Sequence, residues 1–116
     1  MSPRLATSVL VGGLVRKAET QGGFAAVLAK GDPTAGSLIV ILVERGGSPS
    51  ILERILQPDE TYKWRHSGPQ ASDNIVKSED VPAFVARRRR FDPDLWVLEL
   101  DIPSAERFAA EMNDEC

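Results

Sequence analysis

The densest run of reactive side chains is Arg87-Arg88-Arg89-Arg90-Phe91, with Trp96 shortly after it. Guanidinium groups grip carboxylate and phosphate through paired N–H donors. An aromatic ring nearby offers a surface on which a base can stack. Two binding chemistries follow: docking on the acidic surface of a protein partner, or capture of nucleic acid or another polyanion. Successive residues of a helix project about 100° apart, so four adjacent arginines cannot share one flat surface. Two or three of them could join Lys63 and Arg65. A purely structural role competes with both. Between Ala86 and Asp101 the arginines meet the carboxylates Asp92, Asp94, Glu99 and Asp101, and local pairing would hold a helix to the sheet.

The remaining chemistry is sparse. His66 is the single histidine, and a carboxylate that could orient it, Asp73, lies seven residues away across a loop. Acid–base catalysis needs such a partner within reach. The single cysteine, Cys116, is the last residue, so no intramolecular disulfide forms, and with His66 alone it does not make a metal site. Gly12-Gly13-Leu14-Val15-Arg16-Lys17 lacks the spacing and the closing Lys-Ser/Thr of a phosphate-binding loop. No nucleophile elbow and no dinucleotide fingerprint occur. The expectation is no catalytic residue, no metal and no cofactor. A non-enzymatic protein-interaction module ranks first, a polyanion binder second and a small enzyme last. The expected binding residues are Arg87, Arg88, Arg89, Arg90 and Trp96.

Elements must position these groups. Ser2-Pro3 has the chemistry of a helix start, and a first helix should run to about Glu19 and stop at Gly22-Gly23. Ala6, Val9, Leu10, Gly13 and Leu14 recur at helical spacing and should face the core. The Gly12-Gly13 pair predicts close approach of another element or a bend. Phe24 to Lys30 reads as a strand, Gly31 to Gly36 as a turn, and Ser37 to Glu44 as a second strand. The run Leu38 to Val43 marks that second strand as covered on both faces. The two should form a hairpin. Ser50 to Leu56 and Thr61 to Ser67 follow as strands, the latter with Tyr62, Trp64 and His66 on one face. Ser67 to Asn74 reads as a surface loop. Ser78 caps a second helix carrying Val81, Phe84 and Val85 inward, with the arginines finishing it and Asp92-Pro93-Asp94 ending it. Leu95 to Asp101 is a fifth strand, and a last helix places Ala105, Phe108, Ala109 and Met112 on one side.

The order is α-β-β-β-β-α-β-α. Short turns between consecutive strands predict an antiparallel meander of about five strands in one α+β domain spanning 1–116. Of the 116 residues, 42% are apolar and 27% charged, which suits a packed domain without disulfides. A net charge of −3 argues against coating nucleic acid through overall charge, while leaving room for a local basic patch. The apolar run Leu5 to Val15 is too short to span a bilayer and lacks a cleavage site, so no membrane association and a cytoplasmic location are expected. An exposed sheet edge leaves monomer and homodimer both open.

Two stretches carry a resemblance. Phe24-Ala25-Ala26-Val27-Leu28-Ala29-Lys30-Gly31-Asp32, followed by Ala35-Gly36 and an apolar strand, is similar to the first half of a family of short bacterial proteins. Ala86-Arg87-Arg88-Arg89-Arg90-Phe91-Asp92-Pro93-Asp94-Leu95-Trp96-Val97 resembles that family's second signature. The family is the domain of unknown function DUF1491. The resemblance covers nearly the whole chain. It implies a bacterial, stand-alone, cytosolic protein in which the arginine segment and the Asp92-Pro93-Asp94-Leu95-Trp96 turn belong to the shared design. It brings no assigned activity and no site residues.

Overall fold

The computed structural model describes residues 6–66 and 78–115. Ser2-Pro3, the loop from Ser67 to Asn74 with Asp73, and Cys116 lie outside the described residues. Helix α1 (Thr7–Thr20) leads into strands β1 (Phe24–Ala29), β2 (Leu38–Glu44), β3 (Pro49–Leu56) and β4 (Tyr62–His66). A 3-10 turn (Ser78–Asp80) opens helix α2 (Val81–Phe91), and β5 (Trp96–Ile102) and α3 (Ala105–Glu115) complete the chain. The fold is α+β, and the element order follows the sequence reading.

The pairing does not. The strands form one sheet in the order β1-β5-β2-β3-β4. β5 lies between β1 and β2, antiparallel to the first and parallel to the second. The sheet is therefore mixed rather than a meander, and β1 and β2 form no hairpin. Strands joined by tight turns pair with each other, but β5 arrives through α2, and such a crossover lets a strand insert anywhere in the sheet. The Gly31–Gly36 segment consequently arches over the start of β5. Its Asx turn forms as the sequence implies, with Asp32 Oδ2 accepting from the Thr34 and Ala35 amides at 3.2 and 2.7 Å. The Asp32 amide donates to the Asp94 carbonyl at 3.0 Å. Added Cβ atoms at Gly31 or Gly36 would collide with that same carbonyl, so these two glycines let the arch and the β5 entry pack backbone to backbone.

β2 is the middle strand and is buried on both faces, as its unbroken apolar run requires. On one face Leu38, Val40, Leu42, Trp96, Leu98 and Leu100 pack against Val11, Leu14 and Ala18 of α1 and Phe108 and Met112 of α3. The helical stripe is Thr7, Val11, Leu14 and Ala18, one step out of phase with the predicted one. Val9 is 53% exposed. The phase is set by Thr7, a polar residue buried because its hydroxyl donates to the Gly36 carbonyl at 2.7 Å. Among the described residues, a Cβ added at Gly13 would meet nothing within 4 Å and one at Gly12 only the Arg16 side chain, so no described element packs close against the glycine pair. Gly22, at φ 83°, ends the helix as expected. α3 presents its predicted face, and Asn113 Oδ1 accepts from the Trp64 amide at 2.8 Å, which covers the outer edge of β4.

The other face is covered more thinly. Ile39, Ile41, Ile51, Leu95 and Val97 pack against Val81, Phe84 and Val85 of α2. Ser78 lies in the 3-10 turn rather than at the cap of α2; the cap is Asp80, with no side-chain capping bond.

Candidate functional site

α2 carries all four arginines, and the structure disperses them. Arg88 faces β3. Its two terminal nitrogens meet Glu53 Oε1 and Oε2 at 2.8 and 2.6 Å, a bidentate pair. The side chains are 30% and 17% exposed, and the Arg88 guanidinium lies 5.8 Å from the Phe84 ring centre. The hydrogen bond to Glu53 raises the Arg88 pKa above its ordinary value, against the opposing effect of burial. The partner is thus a β3 carboxylate, not one of the four nearby in sequence. Asp92 and Asp94 instead shape the turn, with Asp92 Oδ1 accepting from the Asp94 amide at 3.2 Å.

Arg87 and Arg90 are exposed, and Phe91 is 83% exposed. Trp96 is 5% exposed, and its indole N–H donates to the Asp32 carbonyl at 2.7 Å. It belongs to the core and ties the arch to β5; its ring faces are not open for stacking. Trp64 is likewise buried. Lys63 and Arg65 are exposed. Their registers against Ile55 and Glu53 put them on the α2 side of the sheet, the side of the Arg88–Glu53 pair. His66 stands exposed at the end of β4. Among the described residues, no group of three His, Cys, Asp or Glu side chains converges to hold a metal. Among those residues no helix is long and apolar enough to cross a membrane.

Arg89 has a different setting. It sits on one wall of a groove of about 680 Å³ between α2 and the sheet, within the size range of small-ligand sites. α2 also supplies Val81, Pro82 and Val85. The floor is Ile41 and Val43 of β2, with Leu28 of β1 and the Gly46-Gly47 turn at the margins. Two carboxylates, Glu99 and Asp101, line the groove from β5. Both are half-buried, and neither has an ion-pair partner among the described residues.

The strand geometry explains their placement. Side chains of a strand alternate between faces. Leu98, Leu100 and Ile102 point to the α1–α3 core, so Glu99 and Asp101 point to the α2 face. They lie opposite Ile41 and Val43 on β2 and opposite Ala26 and Phe24 on β1. α2 is too short to cover this end of the sheet. Among the described residues the groove is the uncovered remainder, apolar beneath, with negative charge on the sheet side and Arg89 on the helix side. Sequence reasoning treated Glu99 and Asp101 only as partners for the arginines. The available signal was their alternation with Leu98 and Leu100, which puts carboxylates on a face that an apolar β2 also lines.

Solved relatives share this architecture. The family model described as protein of unknown function (DUF1491) matches residues 5–110. The crystal structure of a DUF1491 family protein from Caulobacter crescentus CB15 has 31% identity and a TM-score of 0.79, over 90% of this chain and 94% of that one. An NMR structure of a DUF1491 family protein from the same bacterium has 30% identity and a TM-score of 0.77, over 92% and 94%. The solution structure of protein Atu0922 from A. tumefaciens has 29% identity and a TM-score of 0.70, over 91% and 92%. No curated protein matches the chain. With the family model spanning nearly its whole length and the fold shared by bacterial relatives, the chain belongs to the DUF1491 family.

Proposed function

We propose that the protein is an interaction module. Its groove between α2 and the sheet receives a partner segment in which an apolar side chain adjoins a lysine or arginine. The observation that carries this reading is the pair Glu99 and Asp101: half-buried carboxylates on an apolar floor, with no ion-pair partner among the described residues. Partial burial of unpaired charge is unfavourable, and a cation brought by a ligand offsets it. The apolar floor supplies binding energy in proportion to the area covered, at about 25 cal/mol per Å². Arg89 on the opposite wall can donate to the segment's carbonyl or carboxylate oxygen. The arginine segment thus contributes through Arg89 as a wall of the groove and through Arg88 as its anchor.

The test is a calorimetric titration with a short capped peptide alternating leucine and arginine, beside its leucine–glutamate counterpart. The basic peptide binds the wild type, and Glu99→Gln/Asp101→Asn weakens it about tenfold or more. Preference for the acidic peptide, lost on replacing Lys63, Arg65, Arg87 and Arg90 by alanine, would transfer the function to the exposed arginine surface.

A further inference from the structure

On the opposite face of the sheet, beside the start of α1, lies a smaller pocket of about 250 Å³. Arg54, on β3, and Tyr62, on β4, form its floor, and Thr7, Thr34 and Ser37 line its rim. The Arg54 guanidinium carbon sits 3.7 Å from the Tyr62 ring centre, a stacked arrangement that fixes the plane of the fork. Its Nε is buried and has no hydrogen-bond partner among the described residues. Among the described residues no carboxylate lies within ion-pair distance of it. Half-buried guanidinium groups are ordinarily matched by a carboxylate or by hydrogen bonds. Here the Thr34 and Ser37 hydroxyls line the pocket beside Arg54, and among the described residues no negative side chain lines it.

α1 adds to this. Its first turn has no acidic residue and its cap makes no side-chain bond. The Thr7 and Ser8 amides already donate to the Thr34 and Pro33 carbonyls, at 3.2 and 2.9 Å. The helix therefore contributes its positive end as a field and not as direct bonds.

We infer that this pocket binds a small oxyanion, the phosphate or carboxylate group of a small molecule. Arg54 would be the bidentate anchor, with the Thr34 and Ser37 hydroxyls as further donors. The site is independent of the groove, from which the sheet separates it.

The experiment is calorimetry on the full chain in chloride buffer of constant ionic strength, with inorganic phosphate and acetate as separate titrants. Saturable binding of at least one is expected, with a Kd of about 1 mM or tighter; which of the two binds identifies the group. Arg54→Gln weakens it about tenfold or more, and Arg54→Lys, which keeps the charge but not the fork, also weakens it. Glu99→Gln, on the other face, leaves it unchanged. Absence of saturable binding by both anions, or wild-type affinity in Arg54→Gln, would overturn the inference. If Arg54→Gln does not fold, Thr34→Val/Ser37→Ala decides: loss of affinity supports the site and unchanged affinity refutes it.

Discussion

Arg88 grips Glu53 through both terminal nitrogens while Arg87 and Arg90 stand in solvent. Arg88→Ala should therefore cost about 1–2 kcal/mol in a denaturant melt. Arg87→Ala and Arg90→Ala should each stay within about 0.5 kcal/mol. Equal effects from all three would mean that the bidentate pair does not anchor α2. The structural role of the arginines was legible in the sequence as a class of interaction, but its partner was not. Glu53 lies 35 positions away, and only the strand pairing brings it under α2. A second set of contacts sits between α1 and α3. Glu111 accepts from the Gln21 amide at 3.0 Å and meets Lys17 and Arg107 at 3.3 and 3.2 Å. These donors, Gln21 first, hold its carboxyl below the ordinary value. Asp59, held low by the Thr61 hydroxyl and amide, has the same sign. A carboxylate with a depressed folded-state pKa adds stability above its unfolded value and loses it as pH falls through the folded value. The melting temperature should thus decline below about pH 4, and Glu111→Gln should make that decline shallower. An identical acid limb in Glu111→Gln would show that these contacts add no stability.

The β1–β2 arch and the entry to β5 behave as one element. Asp32 holds its own turn, its amide and carbonyl bond Asp94 and Trp96, and Gly31 packs against the Asp94 carbonyl. Gly31→Ala should cost roughly 2 kcal/mol or more by thermal melt, because the obstacle is backbone and cannot rotate aside. Exposed Gly22 carries no such contact and is constrained by its φ of 83° alone. At this scale the sequence was informative about which elements exist and poor about how they pair. Periodicity and turn chemistry mark each strand locally. The choice of neighbour for β5 depends on a crossover through α2, which leaves no local mark. The phase of α1 failed for a related reason. Thr7 counts as polar in any pattern, yet it is buried because the Gly36 carbonyl, 29 positions away, satisfies its hydroxyl.

Across the whole molecule the sheet is unevenly dressed. Two helices close one face and bury Phe108 and Met112 against it, while among the described residues α2 alone covers part of the other. That imbalance leaves a groove with an apolar floor, two carboxylates on β5 and Arg89 above them. The sequence showed the apolar strand and the arginines but not the groove, since one wall comes from α2, the floor from β2, the carboxylates from β5 and the margins from β1 and the Gly46-Gly47 turn. Net charge was no guide, because the carboxylates that matter are two among many. The most direct measurement is an amide NMR titration of the intact protein with the leucine–arginine peptide. The account predicts saturable shifts concentrated at Ile41, Val43, Val85, Arg89, Glu99 and Asp101, abolished in Glu99→Gln/Asp101→Asn. Shifts confined to Lys63, Arg65 and the exposed face of α2, or no saturable shifts at all, would contradict it.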